Sequence, residues 1–457
     1  MNVSDRLDRL PLGRFHYQLL ILSGLGWFFD SLDTGLVSFV LARLKVTWKL
    51  GPDQIAWIGS AGLIGMFFGG ALSGMLADRY GRKLVFSTTL LIFSLATGLC
   101  GLAGGFASLL VLRVLVGFGL GGELPVASAL VSEFAPARHR GRLVVLLESF
   151  WAFGWAAAAI IAWLLAAWAD ARGLGFPWRL AFFLGALPAL YVLVLRRRLP
   201  ESPRYLMSRG RVAEAEAVLR QVEASVGVAS PAAGATPDDH PMSPGAPPAP
   251  SIPPARLRDL FGPGLARRTA MLWILWFAMA YSYYGIFIWL PSLLAGRGYA
   301  DVHSFRFTLY ITLAQIPGYF AAAWLVEKIG RKPTLVAFML LSAVASYFFG
   351  GAGSAATLVL WGCLVSFFNL GAWGVTYGYT PELYPTRLRG TGSGWAAAIG
   401  RTGAILAPLV VGRMIGTLGG GFHAVFVMFA AVLTAGALGV MLLGEETRGR
   451  TLEEISG

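Results

Sequence analysis

The chain has 457 residues, of which 37 are Lys or Arg and 24 Asp or Glu, giving a formal net charge of +13. Apolar residues make up 56% and charged residues only 13%, against about 25% charge in soluble domains, so a surface wetted on all sides is excluded. The mean hydropathy is +0.65.

The apolar residues fall in runs of about 20, long enough to cross hydrocarbon. In chain order the predicted spans are 15–42, 54–76, 84–104, 107–132, 143–168 and 178–196, then 268–294, 304–326, 334–351, 355–380, 392–416 and 422–443. The expected organisation is an N-terminal six-helix half (1–198), a connection (199–267), a C-terminal half (268–444) and a tail (445–457). Within the connection, Arg211 to Ala224 has the apolar spacing of a short amphipathic helix. Residues 227–255 are a Pro/Ala/Gly-rich run that cannot bury a core and read as a flexible linker.

The excess positive charge does not point to nucleic acid, because it concentrates in alternate connections, as topogenic signals do. Arg79, Arg82 and Lys83 share one such loop, Arg138, Arg140 and Arg142 the next but one, followed by Arg196 to Arg198, Lys328, Arg331, Lys332, Arg387 and Arg389. Those loops are expected to be cytoplasmic, in the inner cell membrane, with both termini on the same side. Arg43, Lys45 and Lys49 fall on the other side, which a rule summed over loops tolerates. The two cysteines, Cys100 and Cys363, each lie inside an apolar run and support neither a disulfide nor a metal site. No nucleophile and base pair or nucleotide-binding strand and loop appears, so an enzyme is not expected, nor a cofactor.

The halves echo each other. GMLADRYGRK at Gly74 to Lys83 is answered by LVEKIGRK at Leu325 to Lys332, and PARHRGR at Pro136 to Arg142 by YPTRLRG at Tyr384 to Gly390. Such pairs are the trace of a duplicated half, which in transporters places the substrate between the repeats.

GMLADRYGRK resembles the loop between the second and third helices of the major facilitator superfamily. SEFAPARHRGR (Ser132 to Arg142), PESPRYL (Pro200 to Leu206), TPELYPTRLRGTG (Thr380 to Gly392) and EETRGRTLEEI (Glu445 to Ile455) resemble its sugar-porter and organic-ion branches. The implied fold is an all-α membrane protein with twelve transmembrane helices in two six-helix halves related by a pseudo-two-fold axis. These motifs imply an inner gate of Asp78, Arg79, Arg82, Glu133, Arg142, Glu201, Arg204, Arg331, Glu382 and Arg389, whose salt bridges form as it shuts and break as it opens. The resemblance implies a monomer that meets membrane lipid.

Cargo is argued from polar residues inside the spans, since ionisable groups there are costly and functional by default. They are Asp30 and Asp33 in the first span, Arg113 and Glu123 in the fourth, Glu148 in the fifth, Asn369 in the tenth and Arg401 in the eleventh. Asp33 stands in a DTG like that of sugar porters, whose Asp takes part in proton coupling, and Arg113 opens RVLVGFGLGG, like the motif whose Arg pairs with that Asp. Asp33 and Arg113 stand about 18 and 20 residues from the cytoplasmic ends of their helices, or about 27–30 Å at 1.5 Å per residue. They either meet as a pair or are satisfied separately. The glycines at 117, 119, 121 and 122 follow no strand, so they suit close helix packing better than a phosphate cradle.

The amide pattern that holds hexose in sugar porters is missing: the seventh span reads YSYYGIF and the fifth LLESFW. Aromatics take its place, with Trp27, Phe28, Trp151, Trp155, Tyr281, Tyr284, Trp373 and Tyr377 as ring-binding candidates or as packing or lipid-facing residues. GRTGAILAPL at Gly400 to Leu409 resembles the eleventh helix of organic-anion carriers, which implies that Arg401 takes a carboxylate. The alternative is an internal pair with Glu123 or Glu148. The strings GWFFDSLDTGLVSF and LLESFWAFGW are most like bacterial niacin transporters, relatives of the synaptic vesicle glycoproteins. The resulting expectation is proton-coupled uptake of a small organic anion, nicotinate first, by alternating access. A proton-coupled sugar or polyol symporter and a non-transporting membrane sensor stand as alternatives.

Deletion of 227–255 should leave solute uptake within about twofold, because ordering cost and contacts there are both small. A deletion variant that inserts and folds but takes up nothing would overturn this reading of the linker.

Overall fold

A computed structural model describes residues 6–7, 9–136, 140–228, 257–385 and 388–448. Among them are 12 helical spans long and apolar enough to cross a membrane, and no strand. The first half comprises α1 (Arg14–Thr47), α2 (Pro52–Tyr80), α3 (Arg82–Cys100), α4 (Phe106–Phe134), α5 (Arg140–Asp170) and a sixth span broken into α6 (Trp178–Gly185) and α7 (Pro188–Arg198). Two short helices follow, α8 (Pro203–Ser208) and α9 (Val212–Ser225). The second half comprises α10 (Leu265–Gly296), an eighth span broken into α11 (Asp301–Leu313) and α12 (Gln315–Ile329), then α13 (Arg331–Gly350), α14 (Ala355–Glu382), α15 (Arg389–Gly416) and α16 (Phe422–Leu443). Both breaks have a proline cause. Pro188 opens α7, and Pro317, at the third position of α12, has no N–H to continue the ladder through Ala314. The amphipathic helix expected near 211–224 is α9, which buries Ala215, Leu219 and Val222 and is tied to Arg6 by Glu216 (2.9 Å) and Glu223 (2.7 Å). Apart from Gly227 and Val228, the linker lies outside the described residues.

Packing repeats between the halves. α2 lies against α4 and α1 against α5, as α12 lies against α14 and α10 against α15. Across the halves α2 meets α15, and α5 meets α11, each contact being the other's pseudo-symmetric image. The closest approaches are made by glycine: a methyl group on Gly117 would overlap the Gly62 carbonyl, and one on Gly318 would overlap the Phe367 carbonyl. Among the four glycines of the fourth span, Gly117 and Gly121 face α2 and Gly119 faces α3, while Gly122 sits between Thr89 and Ser73. Without a hydrophobic driving force between helices in lipid, such backbone contact is what binds them.

One end of the bundle carries the α2–α3 and α12–α13 turns, here called the basic end. At each turn the chain passes through a glycine with positive φ, Gly81 (+104°) and Gly330 (+101°), a region open to residues without a Cβ. Glu201 accepts hydrogen bonds from the Arg82 and Lys83 amides (2.9 and 3.3 Å). Glu446 accepts from those of Arg331 and Lys332 (both 3.0 Å). Each carboxylate thus satisfies the orphan N–H groups of α3 or α13 and sits on the positive end of its dipole. The following arginines bind the ends of α4 and α14: Arg82 to Glu133 (3.2 Å) and Arg331 to Glu382 (2.9 Å). Arg389 donates to the Pro381 carbonyl (3.1 Å), and the Arg79 carbonyl accepts from Arg209 (2.7 Å). The side chains of Asp78, Arg142 and Arg204 lie outside the described residues. These ion pairs join residues of the same half, so in this conformation they brace each half from within. Each arginine reaches the neighbouring helix end of its own repeat.

Gly81→Ala and Gly330→Ala should each destabilise the protein by about 1–3 kcal/mol, since the new methyl both adopts a strained φ and strikes the capping carboxylate. Gly378→Ala, in open space within α14, should cost nothing. Thermal unfolding in detergent reads the difference, and equal effects at 81 and 378 would exclude the cap as the cause.

Candidate functional site

Inside the first half, Arg113 of α4 donates to Asp33 of α1 at 2.8 Å, and Thr97 of α3 donates to the other carboxylate oxygen at 2.6 Å. Both charges are almost fully buried, at 1% and 3% exposure. A buried pair holds only with close geometry and further hydrogen bonds, and both are present. Asp30, one turn toward the basic end on α1, is fully buried with no hydrogen-bond partner for either oxygen among the described residues. Glu123 of α4 accepts from Thr89 (2.8 Å), and its second oxygen has no partner among the described residues. Asp30 faces Glu123, Asp33 and Arg401 electrostatically.

Between the halves lies a cavity of about 590 Å³. Trp27 (α1), Glu148 (α5), Trp276, Ala280 and Tyr284 (α10), Trp373 and Tyr377 (α14) and Arg401 (α15) line it. Toward the basic end it runs past Thr380, Pro381, Gly390 and Ser393. Toward the other end a smaller chamber walled by Trp151, Tyr283 and Tyr319 shares Trp27, Glu148, Tyr284, Trp373 and Tyr377 with it. Beyond that chamber the halves are in contact. Trp151 donates to the Tyr283 hydroxyl (2.8 Å), Ser60 donates to the Ile405 carbonyl (2.8 Å), and Phe305 meets Phe39 and Phe176 at ring distances of 4.9 and 5.0 Å. The cavity therefore belongs to the basic end and is closed at the other.

Its walls are aromatic. Trp27 and Trp151 lie 4.5 Å apart, and Trp276, Trp373 and Tyr377 form a cluster with centroids 5.2–5.5 Å apart. Two ionisable groups face into this enclosure. Arg401, 12 residues into α15 and hence about 18 Å from its basic end, makes no hydrogen bond or ion pair with any described residue; in particular it pairs with neither Glu123 nor Glu148. Glu148 is 5% exposed and likewise has no such partner among the described residues.

Four sequence candidates stand off the cavity: Phe28, which packs against Phe29, Trp155, which packs against Phe287, and Tyr281 and Asn369. On α10 the lining positions are Trp276, Ala280 and Tyr284, in steps of four; Tyr281, about 100° round the helix, turns to Met428 (3.2 Å) and Phe429. Asn369 donates to Ser282 (3.0 Å) and ties α14 to α10. Three aromatic lining residues were not singled out from sequence: Trp276, Tyr283 and Tyr319. Two four-residue steps from Tyr284 back through Ala280 to Trp276 would have found the first, whereas Tyr319 reaches the chamber through the packing of α12 and carries no local signal.

The comparisons with known proteins agree with this architecture. The model of the family "Sugar (and other) transporter" matches residues 30–457. The niacin transporter NiaP of Acinetobacter baylyi is 50% identical over 455 residues, covering 100% of both chains. A relative from Bacillus subtilis that carries niacin and nicotinamide together in its name is 43% identical over 436 residues, 95% of this chain and 98% of that one. Among solved structures, the inward open conformation of the xylose transporter XylE from E. coli superimposes with a TM-score of 0.74 over 96% of this chain and 99% of that one, at 20% identity, which bears on the fold alone. With twelve spans in two repeated halves around a central cavity, the chain is a multi-pass membrane transporter of the major facilitator type and belongs to the sugar (and other) transporter family.

Proposed function

We propose that this transporter imports a small aromatic carboxylate, nicotinate first, together with protons. The observation that carries the reading is Arg401, a guanidinium near mid-depth with no hydrogen-bond or ion-pair partner among the described residues, set among aromatic rings in a cavity of about 590 Å³. An unpaired charge in such a site is expensive, and a planar carboxylate neutralises it through two parallel hydrogen bonds, while the rings receive the flat face. Niacin is in the names of two relatives, which points the same way, while the second name also includes nicotinamide, the ring without the charge. A sugar finds less here, since no Asn or Gln is among the described residues lining the cavity. We assign the basic end to the cytoplasm by the positive-inside rule, on which reading this is an inward-facing conformation with both termini cytoplasmic in the inner membrane. Proton coupling is assigned to Asp33, with Asp30 in reserve: Asp33 takes up a proton when Arg113 is drawn from it, and Thr97 and Arg113 re-form their bonds when the proton leaves.

Wild type should bind nicotinate about ten- to a hundredfold more tightly than nicotinamide, which has the ring without the charge. Arg401→Lys keeps the charge but loses the planar fork and should weaken nicotinate without restoring nicotinamide. Arg401→Ala should bring the two ligands to similar affinity. Calorimetric titration of the three proteins decides it, and a wild type indifferent between acid and amide would end the anion assignment.

Asp33→Asn should abolish accumulation of labelled nicotinate driven by a pH gradient in proteoliposomes while leaving counterflow exchange. Gradient-driven accumulation at the wild-type level would remove Asp33 from the coupling step.

A further inference from the structure

Arg401 has a counterpart. Glu148 belongs to the other half of the molecule, is 5% exposed, and lines both the cavity and the aromatic chamber beyond it. No described residue donates to it or pairs with it. Tyr284 and Tyr377 each lie within electrostatic reach of both Glu148 and Arg401, so the two groups flank one aromatic enclosure without neutralising each other. Opposite charges that share a cavity and stay apart leave room for something dipolar between them. A buried carboxyl group without a partner incurs a full desolvation cost unless a ligand satisfies it.

We propose that Glu148 is a specificity-determining residue that hydrogen-bonds the ring nitrogen of a heteroaromatic acid, one proton lying between the carboxyl and that nitrogen, while Arg401 holds the ligand's carboxylate. The inference rests on the function proposed above and narrows the substrate class from aromatic acids to those carrying a basic ring nitrogen. The ring faces of the chamber hold a phenyl or a pyridine equally well, so discrimination falls to the polar groups of the lining. Of these Glu148 is the carboxyl that can share a proton with a basic nitrogen, whereas the tyrosine hydroxyls and the Trp27 and Trp373 indoles offer only neutral donors. Sites built to hydrogen-bond a polar substrate atom reject the isostere that lacks it, because their own polar group is then left unpaired.

Benzoate has the carboxylate without the ring nitrogen, and nicotinamide the nitrogen without the carboxylate, so each arm of the reading has its own probe. Titration of purified protein should show nicotinate bound at least about tenfold more tightly than benzoate. Glu148→Leu should lower that ratio to about one. Glu148→Gln, whose amide still donates to a ring nitrogen, should keep most of the preference, and the contrast between the Leu and Gln variants is what a purely structural role, which would leave the ratio the same in both, does not give. A wild type that binds benzoate as tightly as nicotinate, or a Glu148→Leu protein that loses both ligands in the same proportion, overturns the proposal. If instead nicotinate and nicotinamide bind alike while benzoate is rejected, Glu148 stands and the Arg401 assignment falls.

Discussion

A charge placed inside a bundle that spans hydrocarbon is costly unless it is paired, hydrogen-bonded or turned toward a wet cavity, and the arrangement of this molecule turns on how two sets of interior charges, Asp33 with Arg113 and Arg401 with Glu148, meet that demand. Asp33 and Arg113 satisfy one another and Thr97 within the first half, 2.8 and 2.6 Å apart. Arg401 and Glu148 do not, and both face the central cavity. Interior charges of the first kind tie helices of one repeat together. Those of the second kind lie on opposite sides of the interface, where a solute passing between the halves would meet them.

The same distinction holds at the basic end. Glu201 and Glu446 cap α3 and α13 through backbone amides, and the adjoining arginines clamp α4 and α14. Among the described residues these carboxylate and arginine contacts stay within their own repeat, so they stiffen each half separately. Contact between halves is mainly apolar and aromatic, with the Trp151–Tyr283 hydrogen bond and the Phe305 cluster among its members. Apolar surfaces part and re-form with less electrostatic penalty than buried ion pairs would, which suits two rigid bodies that meet at one end and separate at the other.

The aromatic lining explains why a fold shared with sugar carriers need not take sugars. Hydroxyl-rich ligands require amides and directional hydrogen bonds, whereas rings require flat apolar faces and a few well-placed charges. Asn369, the one amide singled out inside a span, spends its N–H₂ group on Ser282 in a helix-to-helix tie. The shape of the fold therefore says little about cargo, and the chemistry of six or so side chains says most of it.

Twelve spans, the two-half repeat and the helix ends were legible in the chain itself, because hydrocarbon thickness dictates the length of an apolar run and the duplicated Gly-Arg-Lys turns carry their own local chemistry. The Asp33–Arg113 pairing was legible too, since equal depth along two helices can be counted in residues. The missing information was rotational and non-local. Tyr281 and Tyr284 stand in one YSYY string, yet the turn of α10 sends one to α16 and the other to the cavity. Tyr319 enters the site from α12, beyond a proline break whose angle no residue pattern encodes. Whether Arg401 meets Glu148 or stays apart from it depends on how far two separately folded halves stand from one another, and that distance is set by their packing.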